Sequence, residues 1–200
     1  ETETTDDFTN HNKIFDQNIQ MLEDKLSSSE GVISGENIQK INCSILITGG
    51  PGAGKTTLLR KLARGSNDLK GEKRIYIRAL DINSDNAVKD IQSLAYKDLN
   101  DNSIGVSKES FDSNMKDGNY KLMIDGVDEA GEQANIIASA IIKFNQLYPI
   151  KIVASCRSTI KWPDWPSSLH IHLKPFTSEQ INSFIDKWFT SDYDSADDVK

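Results

Sequence analysis

Cysteine is scarce in this chain: there are two in 200 residues, Cys43 and Cys156, both in apolar, strand-like stretches. Folding therefore needs no disulfide framework. A free cysteine in such a setting behaves as a small hydrophobe, and a reducing, cytoplasmic environment is expected. Long apolar runs are also missing. Nowhere do ~18 apolar residues follow one another, so no membrane-spanning helix is expected and the membrane is no partner. The first residues, Glu1-Thr2-Glu3-Thr4-Thr5-Asp6-Asp7, lack the positive and apolar segments of a secretion signal, and the chain does not begin with Met, as a segment of something longer would not. Basic excess is absent as well: 23 Lys and Arg stand against 30 Asp and Glu, a formal charge of −7. That balance repels polyanions, so direct nucleic-acid binding is not expected. His11, His170 and His172 share no metal-ligand spacing with the cysteines; the last two fall on one face of a strand, and no ligand role follows.

What is present suits one domain. A chain of this length buries roughly 70% of its unfolded surface, enough for a core without staples. Residues 1–12 are polar and read as a disordered tail. Residues 13–40 carry Ile14, Phe15, Ile19, Leu22 and Leu26 at helical spacing and then a lead-in. The core spans 41–190, and 191–200 is an acidic tail. Within the core, strands are expected at Ser44–Thr48, Arg74–Leu80, Tyr120–Ile124, Ile150–Ser155 and Leu169–Leu173. Helices are expected after residue 54 (with Gly65 as C-terminal cap), at Val88–Leu99, at Glu132–Tyr148 with Ile136, Ile137, Ala140, Ile141 and Phe144 on one face, and at Thr177–Phe189. The Asn, Asp, Ser and Gly cluster after Leu99 reads as loop. The last helix has a capping box, Thr177 with Gln180, and a hydrophobic staple, Phe176 with Ile181. Alternating strands and helices imply an α/β fold: a parallel sheet covered on both faces, with its chemistry at the carboxyl ends of the strands.

One of those ends is distinctive. Gly49-Gly50-Pro51-Gly52-Ala53-Gly54-Lys55-Thr56-Thr57 follows the first strand and opens the next helix. The spacing of Gly49, Gly54, Lys55 and Thr56 fits the phosphate-binding P-loop, where glycines let backbone N–H groups converge on phosphate oxygens and the helix N-terminus adds its dipole. Nucleoside triphosphate binding by Gly50 through Thr57 follows, with Lys55 reaching the β- and γ-phosphates and the Thr56 hydroxyl on Mg²⁺.

A second constellation is Leu122-Met123-Ile124-Asp125-Gly126-Val127-Asp128-Glu129, an apolar strand ending in a carboxylate and two further acids. Downstream of a P-loop, the strand-end carboxylate Asp125 suits the metal, and a later one suits the proton of the attacking water. Asp128 and Glu129 compete for that base role; Glu129 has the longer reach. At the fourth strand, Ser155-Cys156-Arg157 puts a cation where γ-phosphate charge gathers in phosphoryl transfer. Arg157 is either a sensor of that phosphate or an arginine that is solvated or paired to a surface acid. Trp162-Pro163-Asp164-Trp165-Pro166 reads as a loop packing its indoles on the domain rather than a platform for a base.

Taken together, Ile-Thr-Gly-Gly-Pro-Gly-Ala-Gly-Lys-Thr-Thr, Leu-Met-Ile-Asp-Gly-Val-Asp-Glu and Val-Ala-Ser-Cys-Arg resemble the NACHT branch of the STAND ATPases over Ile41 to Phe189, with Cys156 departing from the family's Ser or Thr directly before Arg. The passage Leu173-Lys174-Pro175-Phe176 into Thr-Ser-Glu-Gln-Ile is also similar. The resemblance implies a three-layer P-loop NTPase, a five-stranded mainly parallel sheet in strand order 5-1-4-3-2, and an ATP- and ADP-binding, Mg²⁺-dependent switch. In such switches nucleotide exchange controls self-association, and relatives serve innate immunity and antiphage defence. Hydrolysis by this segment alone is expected to be weak, since no arginine finger can be named and such a group carries ~10³ to 10⁵ in rate. An AAA-type motor shares the P-loop and acid logic but shows a plain Asp-Glu pair. A P-loop kinase needs an arginine-rich lid, and Ser158 to Leu169 offers only Lys161. The Leu-Ser-Gly-Gly string of ABC ATPases and the Asn-Lys-x-Asp string of GTP binders are missing, which favours ATP.

Overall fold

The structure is a computed structural model that describes residues 38, 41–64, 73–102 and 105–193. The expected tail 1–12, the stripe Ile14 to Leu26, the Gly65 cap and residues 194–200 lie outside the described residues. In chain order the elements are β1 (Ser44–Gly49), α1 (Lys55–Arg64), β2 (Lys73–Arg78), α2 (Ala87–Asn102), α3 (Lys108–Lys116), β3 (Tyr120–Asp125), α4 (Ala134–Leu147), β4 (Lys151–Arg157), β5 (Ser168–Leu173) and α5 (Ser178–Tyr193). The strands form one sheet in the order β2-β3-β4-β1-β5. Every pairing is parallel, so the sheet is wholly rather than mainly parallel.

Parallel strands buried on both faces read as continuous apolar runs, and β1 and β3 are buried at every position. Alternate residues go to opposite layers. Ile45, Ile47, Met123 and Val153 meet Leu59 and Leu62 of α1 on one face, with Ile38 and Ile41. Leu46, Leu122, Ile124, Ile152 and Ala154 meet α2, α3 and α4 on the other.

The structure differs from the sequence reading at several places. The second strand stops at Arg78 because the chain turns into a 3-10 segment over Ala79–Asp81, where the Arg78 guanidinium grips Asp81 at 2.7 and 2.9 Å. Glu132 belongs to a 3-10 segment over Val127–Gln133 that precedes α4. On α4, Ile137, Ala140, Ile141 and Phe144 are buried as expected, but Ile136 is 53% exposed, one 100° step off the inward arc. The stretch after Leu99 is not all loop. Ser107 Oγ accepts from Ser110 N–H and starts α3, whose Phe111 and Met115 are fully buried. In α5 the capping box forms in both directions: Gln180 Oε1 accepts from Thr177 N–H at 2.9 Å and Thr177 Oγ1 from Gln180 N–H at 3.2 Å. Its staple buries little, since Phe176 and Ile181 remain 55% and 46% exposed. The helix runs on to Tyr193, past the start of the expected tail.

The tryptophans pack as the loop reading expects. Trp165 is buried and its Nε1–H donates to Asn145 Oδ1 at 3.0 Å, with Trp162 stacked at 5.9 Å between centroids. Asn145 also accepts from Ser44 Oγ at 2.9 Å and donates to Ile150 O at 2.8 Å, tying α4 to β1 and to the start of β4. Cys43 and Cys156 are free thiols, and burial pushes each up to about 11. No helix among the described residues is long and apolar enough to cross a membrane.

Candidate nucleotide site

The P-loop bridges β1 and α1, and its backbone does what its glycines allow. Gly52 and Gly54 take φ of +72° and +86°, in the left-handed region that L side chains rarely adopt. Alternation through that region turns successive N–H groups to one side, making an anion-binding concavity at the start of α1. A Cβ at Gly50 or Gly52 would meet no heavy atom within 4 Å, so the loop is open on that side. Lys55 Nζ donates to Gly49 O and Gly50 O, each at 2.9 Å, which seats the ammonium on the rim of the loop. The first turn of α1 holds no acidic residue to oppose an anion. Pro51 and Thr57 are exposed, Ala53 is buried, and Thr56 is half-buried on the second residue of the helix. Phe176, from the segment after β5, leans on this loop, with Cζ 3.3 Å from where a Gly54 Cβ would stand.

The acid cluster lies at the end of β3. Asp125 is 6% exposed and engaged on both oxygens: Ser155 Oγ of β4 donates to Oδ1 at 2.6 Å and Tyr76 Oη of β2 donates to Oδ2 at 2.8 Å. Ser155 accepts in turn from Gly126 N–H at 2.9 Å. Each carboxylate oxygen keeps one lone pair after these bonds. Gly126 then takes φ 72°, ψ 47°, a left-handed turn that breaks the strand line and lets Asp128 reach the end of β4. A Cβ there would stand 2.9 Å from Glu129 Cδ, so the glutamate folds back over the glycine.

The two competing acids separate clearly. Asp128 is tied to the end of β4: Arg157 N–H donates to Oδ1 at 2.9 Å, and Arg157 Nε lies 3.0 Å from Oδ2. Its side chain is 10% exposed, against 53% for Arg157. Glu129 is exposed. Of the two readings of Arg157, pairing with an acid is what these contacts display, and that acid belongs to the same motif. Arg157 also sits opposite Gly49 in the β1–β4 register, so it stands beside the start of the P-loop. Tyr76 was missed by the sequence reading. Its only signal was an aromatic on the face of β2 that Arg74 and Arg78 share, opposite the buried Ile75 and Ile77.

Mg²⁺ prefers one or two protein oxygens, with water and phosphate oxygens completing an octahedron. The hydroxyl of Thr56 and the remaining lone pairs of Asp125 fit that demand. Among the described residues no group of three or more His, Cys, Asp and Glu converges on a common point. A cavity of about 540 Å³ lies elsewhere, on the sheet face away from α1, between β1, β5 and the tryptophan loop. There Thr48 Oγ1 bonds both His170 Nε2 at 3.0 Å and His172 Nδ1 at 3.1 Å, so the two histidines are hydrogen-bond partners of a threonine.

No protein-family model matches the chain, and no curated protein matches it. Several solved structures are similar. A DNA replication initiation factor is 18% identical, with TM-score 0.48, over 78% of this chain and 47% of its own. Drosophila ORC bound to DNA is 12% identical, with TM-score 0.48, over 74% of this chain and 42% of its own. C. elegans PCH-2 is 21% identical, with TM-score 0.45, over 90% of this chain and 47% of its own. The chain thus spans less than half the length of each of these three, and likeness at this level assigns neither a family nor a partner. The parallel sheet in the order β2-β3-β4-β1-β5, with a Gly-x₄-Gly-Lys-Thr loop between β1 and α1, is in itself a P-loop NTPase fold.

Proposed function

We propose that this chain is the nucleotide-binding core of a switch ATPase of the NACHT kind, which binds ATP and ADP with Mg²⁺, hydrolyses ATP slowly and couples the bound nucleotide to self-association. In this reading the N–H groups of Gly50 and of Gly52 to Lys55 and the Lys55 ammonium bind the phosphates, while Pro51, which has no N–H, and Thr57 shape the loop around them. Thr56 and Asp125 hold Mg²⁺, which when bound neutralises phosphate charge. Glu129 accepts the proton of the attacking water at its carboxylate. Asp128 holds Arg157 rather than a proton.

The observation that carries the reading is the pair of contacts between Asp128 and Arg157, one to the backbone N–H and one to the guanidinium, because an arginine read as the γ-phosphate sensor then has an alternative partner within the motif. ATP competes with Asp128 for the guanidinium; ADP does not. A left-handed Gly126 is what lets Asp128 reach β4, so each letter of Asp-Gly-x-Asp-Glu has a task, and a plain Asp-Glu pair of the motor type would lack this latch. Turnover is expected to stay low because no arginine of this segment is assigned as a finger, a contribution of ~10³ to 10⁵ in rate.

Titration with fluorescent ATP and ADP analogues tests the proposal. Both should bind saturably, Lys55→Ala should abolish binding, and steady-state turnover should fall well below the ~1 s⁻¹ at which ordinary enzymes begin. Preference for GTP, phosphoryl transfer to an acceptor, or fast turnover by the isolated chain would each overturn it.

A further inference from the structure

Tyr76 carries more than a strand needs. Phenylalanine would fill the same half-buried place on β2 in the α1 layer, where Tyr76 lies beside Met123 of β3 and packs against that side of the core. The strand itself is anchored independently, since Tyr76 N–H donates to Asp98 Oδ2 of α2 at 3.0 Å. The hydroxyl is therefore spare for the fold, and it goes to Asp125 Oδ2 at 2.8 Å. Above the ring lies Arg60, with its guanidinium carbon 6.0 Å from the centroid. Arg60 is one helical turn beyond Thr56, so both side chains leave α1 on the same face. The phenol thus stands between a cation and the buried carboxylate.

We infer that Tyr76 is a positioning residue for the Mg²⁺-binding carboxylate: its hydroxyl fixes the Asp125 rotamer together with Ser155 and keeps Arg60 from pairing with Asp125 directly. The inference rests on the reading that Asp125 serves the metal. A direct Arg60–Asp125 pair would supply the positive charge that Mg²⁺ otherwise brings, so loss of the hydroxyl sets cation against cation. Removal of Arg60 from the same background relieves the competition. A purely structural tyrosine shows no such rescue.

The test measures metal affinity rather than turnover. Mn²⁺ is titrated by electron paramagnetic resonance into wild type, Tyr76→Phe, Arg60→Ala and the double variant, each saturated with ADP, and fluorescent ADP binding is measured in EDTA. Tyr76→Phe should bind nucleotide in EDTA within twofold of wild type yet lose about tenfold in Mn²⁺ affinity, the lower end of what a hydrogen bond to a charged group carries. The double variant should regain most of that loss. A wild-type chain that binds ADP with no metal dependence removes the metal reading of Asp125. A metal-dependent wild type with an unchanged Tyr76→Phe overturns the role of Tyr76 alone, and a defect that Arg60→Ala leaves in place overturns its shielding of Asp125.

Discussion

Asp128→Asn distinguishes a base from a latch at the acid cluster. The substitution alters a side chain only 10% exposed that holds Arg157 through two contacts. Asparagine keeps a carbonyl oxygen for Arg157 N–H, so the bond to the backbone survives and only the ion pair is lost. With the Arg157 side chain 53% exposed, solvent screens that pair, and its loss costs at most about 1 kcal/mol. Asp128→Ala removes both contacts, and because the hydrogen bond to the N–H is exposed, its loss adds about 0.5–1.5 kcal/mol. In urea denaturation the Asn variant should therefore stay near wild type and the Ala variant should lose about 0.5–2.5 kcal/mol. Single-turnover hydrolysis, with protein in excess over labelled ATP, gives the functional half. Asp128→Asn should keep the rate within severalfold and raise the preference for ATP over ADP, because Arg157 is released to the γ-phosphate. Glu129→Gln should cut the rate by ~10² to 10⁴, the usual contribution of a positioned base. If Asp128→Asn loses hydrolysis as deeply as Glu129→Gln with its stability intact, Asp128 is the base and the latch does not exist.

Gly126→Ala should destabilise by about 1–2 kcal/mol for its left-handed φ of 72° and dislodge Glu129, whose Cδ would lie 2.9 Å from the new methyl; hydrolysis falling no further than stability does would contradict that placement. Asn145→Ala removes an acceptor for Ser44 and Trp165 and a donor to Ile150 O, roughly 3 kcal/mol at about 1 kcal/mol per bond, so a urea midpoint unchanged from wild type would argue against its role. Phe111→Ala empties a fully buried position under α3 and should cost about 3–5 kcal/mol by the same measurement. At alkaline pH the folded chain retains thiol protons that the unfolded chain releases, because burial lifts Cys43 and Cys156 from 9.0 to about 11. Their contribution to stability is complete below pH 9 and lost as pH rises through about 11. Denaturation across that window should show a shallower loss in Cys156→Ala than in wild type, and identical slopes would refute the contribution.

Much of this was legible because it is local. The glycine loop, the apolar runs of β1 and β3 and the capping box of α5 are short strings whose backbone needs select their residues. Helix α3 was not legible: nine mostly polar residues with only Phe111 and Met115 to bury give a weak period, and tertiary contact rather than propensity holds them. Ile136 was misjudged for a related reason, since helical spacing gives the width of an apolar stripe but not which edge of it the sheet covers.

The sequence by itself determined that phosphate-binding backbone follows β1 and that carboxylates follow β3, because a loop of glycines and a strand-end acid are set by neighbours in the chain. Only the tertiary structure decided which partners those acids take. Asp125 takes its hydrogen bonds from Tyr76 and Ser155 on two different strands, and Asp128 takes Arg157 from the end of β4. Strand order and register bring these groups within reach, and no periodicity along the chain records which side chains will meet across a sheet.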